Sequence, residues 1–173
     1  LYFCLSVPEM MNGFYYPHRN AKNPINNADI IYTPDVAVFK TDTSCPKLMN
    51  EKDWYDVDVI TCAAPNLRER PSNRFNKDNG NRVAKISDLE LLEIHKKRLT
   101  RILDIAVLNG AEVVILGAFG CGAFQNKPEV VARAAKEVIT DYRHAFKTIE
   151  FAVYCSPRDD TNFKVFKRVM GQM

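Results

Sequence analysis

The stretch Glu112–Pro128, EVVILGAFGCGAFQNKP, decides the reading of this chain. Val113–Leu116, opened by Glu112, has the character of a short buried strand. It runs into a loop holding Gly117, Gly120 and Gly122, three of the chain's 7 glycines. Pro128 then offers a favoured first residue for a helix. A strand, a glycine-rich turn and a helix N-terminus together make an anion site. The glycines let backbone N–H groups turn toward a ligand, and the helix dipole adds partial positive charge. The expected ligand therefore carries phosphate. Phe119 and Phe124 are more than a simple turn requires. Phe124 is placed to close over a sugar or stack on a ring, and Phe119 to plug the core beneath the loop.

Two familiar phosphate-binding patterns fail on this loop. A dinucleotide fingerprint begun at Gly120 needs a glycine where Gln125 stands. A P-loop fits the spacing of Gly117 and Gly122 but is followed by Ala123 and Phe124, with no lysine. ATPase chemistry is disfavoured on that ground. Cys121 sits between two glycines near a helix N-terminus, where a thiolate is stabilised. A Cys–His nucleophile would need His18, His95 or His144, and nothing in the sequence places any of them beside Cys121. His144 is better read as a cation at a helix C-terminus.

Working outward, the second half of the chain reads as strand–helix units. Tyr55–Ala63 is a predicted strand. Asn66–Asn81 is a polar excursion or mobile loop, with five asparagines and four arginines over Asn66–Arg82. Ser87-Asp-Leu-Glu90 is a capping box opening a helix with Leu91, Ile94, Leu99, Ile102, Leu103 and Ala106 on one face. Asn109-Gly110 ends it. Pro128–Arg143 is a second helix with Val131, Ala134, Ala135, Val138 and Tyr142 inward. Thr148–Cys155 is a strand, and Asp159 or Asp160 caps a last helix carrying Phe163, Phe166 and Met170. Earlier in the chain, Asp29–Thr33 and Val36–Lys40 look like two short strands around Pro34-Asp35, and Thr41–Asp53 like a loop. Phe14–Arg19 is aromatic and basic, with half-buried packing the simplest account. Alternating strands and helices imply an α/β fold, with a parallel or mixed sheet covered on both faces. Ligands in such folds bind beyond the carboxyl ends of strands. Two segments meet that description: Ala63–Asn66 and Gly117–Asn126.

The totals narrow the classes. At 173 residues the chain fits one domain with a real core. A net charge of +3 gives no electrostatic footprint for nucleic acid, and no apolar run reaches a membrane span. The five cysteines are scattered with no CxxC pair, so neither a zinc site nor any other metal is expected. Reduced thiols and a cytoplasmic location follow. The chain opens at Leu1 in LYFCL, which reads like the middle of a domain.

Three runs together, YTPDVAVF (Tyr32–Phe39), VDVITCAAPN (Val57–Asn66) and VVILGAFGCGAFQNKP (Val113–Pro128), resemble the microbial-type poly(ADP-ribose) glycohydrolases. The resemblance runs from about Leu1 to about Pro157, and GAFGCGAF-x-N is its most specific part. It implies a macrodomain-like three-layer fold, a mixed sheet flanked by helices. Residues 1–173 would be a single, incomplete ADP-ribose-binding domain, its N-terminal part lying outside this chain. By the same resemblance Gly117, Ala118, Phe119, Gly120, Cys121, Gly122, Ala123 and Phe124 wrap the diphosphate and ribose, and Asn126 holds the loop. Ala63, Ala64, Pro65 and Asn66 line another wall. The implied partner is ADP-ribose or poly(ADP-ribose), with no cofactor, no direct nucleic acid and no membrane.

The chain departs from the family in one respect. The family's catalytic signature, a triple glycine and a Gln-Glu-Glu motif, lies upstream of the part matching Leu1-Tyr2. These 173 residues hold no Gly-Gly pair and no two adjacent glutamates. Glycosidic cleavage needs a carboxyl group at the anomeric centre, so no catalytic residue is assigned. Three alternatives stay open: a glycohydrolase portion, a non-catalytic reader of ADP-ribose, and an inactive remnant. An apolar sheet edge or face is expected to lie uncovered, or to be covered by self-association. The arginines of Arg68–Arg82 are compatible with a polymeric anion, but a solvated loop is the plainer account.

Overall fold

The structure, a computed structural model, describes residues 24–26, 28–71, 83–156 and 158–171. The aromatic run Phe14–Arg19, the opening LYFCL, and Arg74 and Arg82 of the polar excursion lie outside the described residues.

Strands β1 (Ile30–Val38) and β2 (Tyr55–Cys62) form an antiparallel pair running from Ile30 opposite Cys62 to Val38 opposite Tyr55. The two short strands expected around Pro34-Asp35 are one continuous strand with a bulge. Thr33 faces Val59 and Val36 faces Val57, so Pro34 and Asp35 together oppose Asp58. Proline cannot donate to a ladder, and Asp35 takes a positive φ of 53°. The Asp58 carboxylate bridges the break. It accepts the Asp35 N–H at 3.0 Å and the Tyr32 hydroxyl at 2.6 Å. The Tyr32 bond, and after it the Asp35 bond, holds the Asp58 carboxyl below its ordinary range, and the Asp58 bond pushes the Tyr32 phenol up to about 12.

Helix α1 (Asp88–Leu108) opens on the capping box that the sequence predicts. Ser87 Oγ accepts the Glu90 N–H, and the Glu90 carboxylate accepts the Ser87 N–H at 2.9 Å. Such a cap contributes about 1 kcal/mol. The helix ends at Asn109, followed by Gly110 at φ +72°. Its buried face carries Leu91, Leu99, Ile102, Leu103 and Ala106, and also Leu92, His95 and Arg98, which apolar periodicity alone passed over. Strands β3 (Val113–Leu116) and β4 (Thr148–Phe151) pair in parallel. Helix α2 (Pro128–Tyr142) makes the crossover between them. Helix α3 (Thr161–Met170) follows; Phe166 is buried and Phe163 exposed.

The result is a mixed α/β fold, an antiparallel and a parallel strand pair flanked by helices. The main core joins Leu99, Ile102 and Leu103 of α1 to Val114 and Leu116 of β3 and to Ala134, Ala135 and Val138 of α2. Each large aliphatic buried there contributes roughly 1.5–3 kcal/mol. A second cluster joins Val131 and Ala132 of α2, Val165 and Phe166 of α3, and Cys121.

Strand β3 differs from the expectation of full burial. Val114 and Leu116 are buried, but Val113 is 53% and Ile115 66% exposed. A run of four apolar residues looks the same whether one or both faces are covered. An open groove of about 830 Å³ separates β2 from β3, floored by Leu99, Ile102 and Ala106. The uncovered apolar sheet surface expected from the sequence is thus present. Strand β4 is shorter than Thr148–Cys155, because the Val153 N–H turns back to the Phe151 carbonyl.

Candidate functional site

The loop from Gly117 to Lys127 leaves the carboxyl end of β3 and delivers the chain to Pro128, the first residue of α2. Two turns shape it. The Cys121 N–H donates to the Ala118 carbonyl at 2.9 Å, and the Gln125 N–H donates to the Gly122 carbonyl at 3.0 Å. Gly120 takes φ +80° and Gln125 φ +55°. A Cβ on Gly120 would stand 2.6 Å from Ala64 Cβ and 2.7 Å from Asn126 Nδ2, so this glycine permits close approach between two segments. Gly122 is different: a Cβ there would meet nothing within 4 Å.

Gly122 and Ala123 are exposed, and Phe124 is partly buried. Among the described residues, the N–H groups of these three find no acceptor. Three successive N–H groups without an acceptor, ahead of a helix N-terminus, are donors that an anion can use. Gly117 is exposed and Ala118 partly buried, and both border the groove between β2 and β3. Phe119 is partly buried against the second core cluster and meets the His95 ring edge-on at 5.5 Å. This is the plugging role expected of it.

Ala63, Ala64, Pro65 and Asn66 follow β2 and are all buried. Their backbone is held from three sides. Arg98 on α1 donates to the Ala63 carbonyl at 2.8 Å and to the carbonyls of Ile25 and Asn26. Asn26 Nδ2 donates to the Ala64 carbonyl at 2.7 Å. The Asn66 N–H donates to the Pro24 carbonyl, and its side chain binds Pro71 and Arg68. No local signal marks Arg98 for this role, because its partners lie far away along the chain.

Two ties join the segments. The Leu67 N–H donates to the Phe124 carbonyl at 2.9 Å. Asn126, buried on α2's approach, donates through Nδ2 to the carbonyls of Pro65 (2.7 Å), Gly120 (3.0 Å) and Phe124 (3.3 Å). Arg68 closes the outer side, its guanidinium 5.7 Å from the centre of the Phe124 ring. The structure thus brings both predicted segments together, with Ala63–Asn66 as the frame and Gly122–Phe124 at the surface.

Cys121 is buried, and burial together with the Glu129 charge pushes its thiol up to about 12. Its side chain packs in the second core cluster with Val131 and Phe166. Among the described residues no group of three or more His, Cys, Asp or Glu could hold a metal ion. Glu129 lies in the first turn of α2, and Glu90 and Glu93 in or just after the first turn of α1. No described helix is long and apolar enough to cross a membrane.

No protein-family profile and no curated protein matches the sequence. Solved structures do. The chain is similar to the poly(ADP-ribose) glycohydrolase of Thermomonospora curvata bound to the inhibitor ADP-HPD, at TM-score 0.76 and 26% identity over 94% of this chain and 57% of that one. It is similar to the Deinococcus radiodurans enzyme in complex with ADP-ribose, at TM-score 0.73 and 26% identity over 93% of this chain and 60% of that one. The chain therefore spans less than two thirds of these enzymes' length. Over the part that it spans, it has the macrodomain-like fold of the microbial-type poly(ADP-ribose) glycohydrolases and resembles them.

Proposed function

We propose that this chain binds ADP-ribose, with the diphosphate on the backbone N–H groups of Gly122, Ala123 and Phe124. The observation that carries the reading is that set of free donors at the carboxyl end of β3, ahead of α2. Phosphate oxygens there gain hydrogen bonds and the favourable end of the helix dipole. The open space at Gly122 leaves room for the ligand. Phe124, steadied by Arg68, provides an apolar face for the ribose.

Hydrolysis of ribose–ribose bonds needs a carboxylic acid at the glycosidic oxygen. These residues contain no adjacent glutamate pair, so on this reading the chain supplies the binding face of a glycohydrolase. The family's glutamate motif would come from polypeptide outside the 173 residues. The same lack of a glutamate pair favours, as a second reading, a binding module that recognises ADP-ribose without cleaving it. Association of copies through the open face of β3 also belongs to this proposal.

Isothermal titration with ADP-ribose, AMP and adenosine tests the reading. ADP-ribose binds in the micromolar range, AMP more weakly and adenosine not measurably. Phe124→Ala weakens ADP-ribose about tenfold, the worth of one well-placed contact. A folded chain that binds none of the three, or binds all equally, overturns it.

A further inference from the structure

His95 is completely buried on α1, yet among the described residues it is neither part of a group that could hold a metal nor paired with an acid. Its Nε2 stands 2.9 Å from Asn126 Oδ1. The tautomer follows from the partner. Asn126 Nδ2 faces three carbonyls, so it must be the donating end of the amide, and Oδ1 must be the accepting end. A flipped amide would set oxygen against oxygen at Pro65, Gly120 and Phe124. His95 therefore carries its proton on Nε2. Nδ1 is left bare, and it is buried without a partner among the described residues.

We propose that His95 is the positioning residue of the site. Its Nε2–H fixes the orientation of the Asn126 amide, and through that amide it locks the anion loop onto the Pro65 wall. The geometry leaves little slack. Gly120 is pressed between Ala64 and Asn126, and Phe119 packs edge-on against the same imidazole. Without the donor, Asn126 Oδ1 is a buried acceptor with no partner, and the amide is free to turn. The loop would then lose its main tie and keep only the Leu67–Phe124 bond. Burial keeps the ring neutral, consistent with a pKa lowered to about 4. A neutral ring suits this place, since the Arg98 cation lies one turn further along α1.

The inference rests on the ADP-ribose reading only for its binding arm, so three measurements on the full chain separate the two. The ring nitrogens of His95, read by 15N NMR, should show Nε2 protonated and Nδ1 bare at neutral pH. Amide hydrogen exchange at Asn126 and Leu67 should quicken about tenfold or more in His95→Leu, the usual consequence of an orphaned buried acceptor. His95→Gln, which offers an N–H at similar reach, should return exchange to within a few-fold of the parent. The dissociation constant for ADP-ribose should follow the same order. A ring protonated on Nδ1 overturns the proposal. So does His95→Leu with parental exchange at both amides, or His95→Gln no better than His95→Leu. If His95→Leu does not fold, the tautomer and the His95→Gln exchange decide alone. A parent chain that binds no ADP-ribose but shows the expected tautomer and exchange order removes the ligand and leaves His95 in its role.

Discussion

Asn126 Nδ2 lies 2.7 Å from the carbonyl oxygen of Pro65, joining residues sixty-one apart in sequence. This bond binds the loop after β3 to the segment after β2. Asn126→Ala would strip the donors from three carbonyls and the acceptor from His95. We expect a loss of about 3 kcal/mol in chemical denaturation. Asn126→Asp should be at least as harmful, because a carboxylate would face carbonyl oxygens. Stability within 0.5 kcal/mol of the parent, roughly the scatter of an ordinary surface change, would mean that the tie is not formed.

The loop glycines should separate into two kinds. Gly120→Ala meets both a left-handed φ and a contact at 2.6 Å, and should cost about 2–3 kcal/mol. Gly122→Ala meets open space and should leave stability within about 0.5 kcal/mol. Gly122→Val should nonetheless weaken ADP-ribose, because its side chain occupies the space assigned to the ligand. Equal thermal shifts for Gly120→Ala and Gly122→Ala would contradict the loop geometry.

Acid should destabilise the fold partly through His95. Burial lowers its pKa from 6.5 to about 4, so the unfolded chain binds the proton more readily. The stabilisation is complete above pH 6.5 and is lost as pH falls toward 4. The loss amounts to about 3 kcal/mol by pH 4. His95→Gln should flatten the stability profile across this window, while the lowered carboxyls of Glu90, Glu137 and Asp159 act further toward acid. An unchanged slope between pH 6.5 and pH 4 in His95→Gln would count against a buried neutral imidazole.

The exposed face of β3 should make the chain self-associate. Ile115→Lys places a charge at the most exposed apolar residue of that strand. Sedimentation should show the parent associating at concentrations where the variant is a monomer, a shift of about tenfold or more. A monomeric parent at high concentration would show that the face is tolerated in water.

Much of this fold was legible because its signals are local. Ser87 and Glu90 lie within one turn, so the capping box could be read from four residues. Asn109-Gly110 and Pro128 marked helix ends for the same reason. The glycine spacing of Gly117–Gly122 and the sequence around it carried both the anion reading and the family resemblance. What escaped was long-range. Pro34-Asp35 looked like a break because the bridging Asp58 carboxylate lies on another strand. His95 and Arg98 stood on an apolar helix face as unexplained polar residues. Their partners, Asn126 in one case and the Ala63, Ile25 and Asn26 carbonyls in the other, are set by tertiary packing. An uncovered apolar sheet surface was expected, but its place on β3 was hidden, because strand composition does not report how many faces are covered.

On the proposed function, backbone amides of the loop hold the diphosphate. The direct measurement is the 1H–15N spectrum of the chain during titration with ADP-ribose. The amides of Gly122, Ala123 and Phe124 should move furthest, downfield, as phosphate oxygens accept their protons. Saturating changes confined to the groove between β2 and β3, with these three amides unmoved, would contradict it.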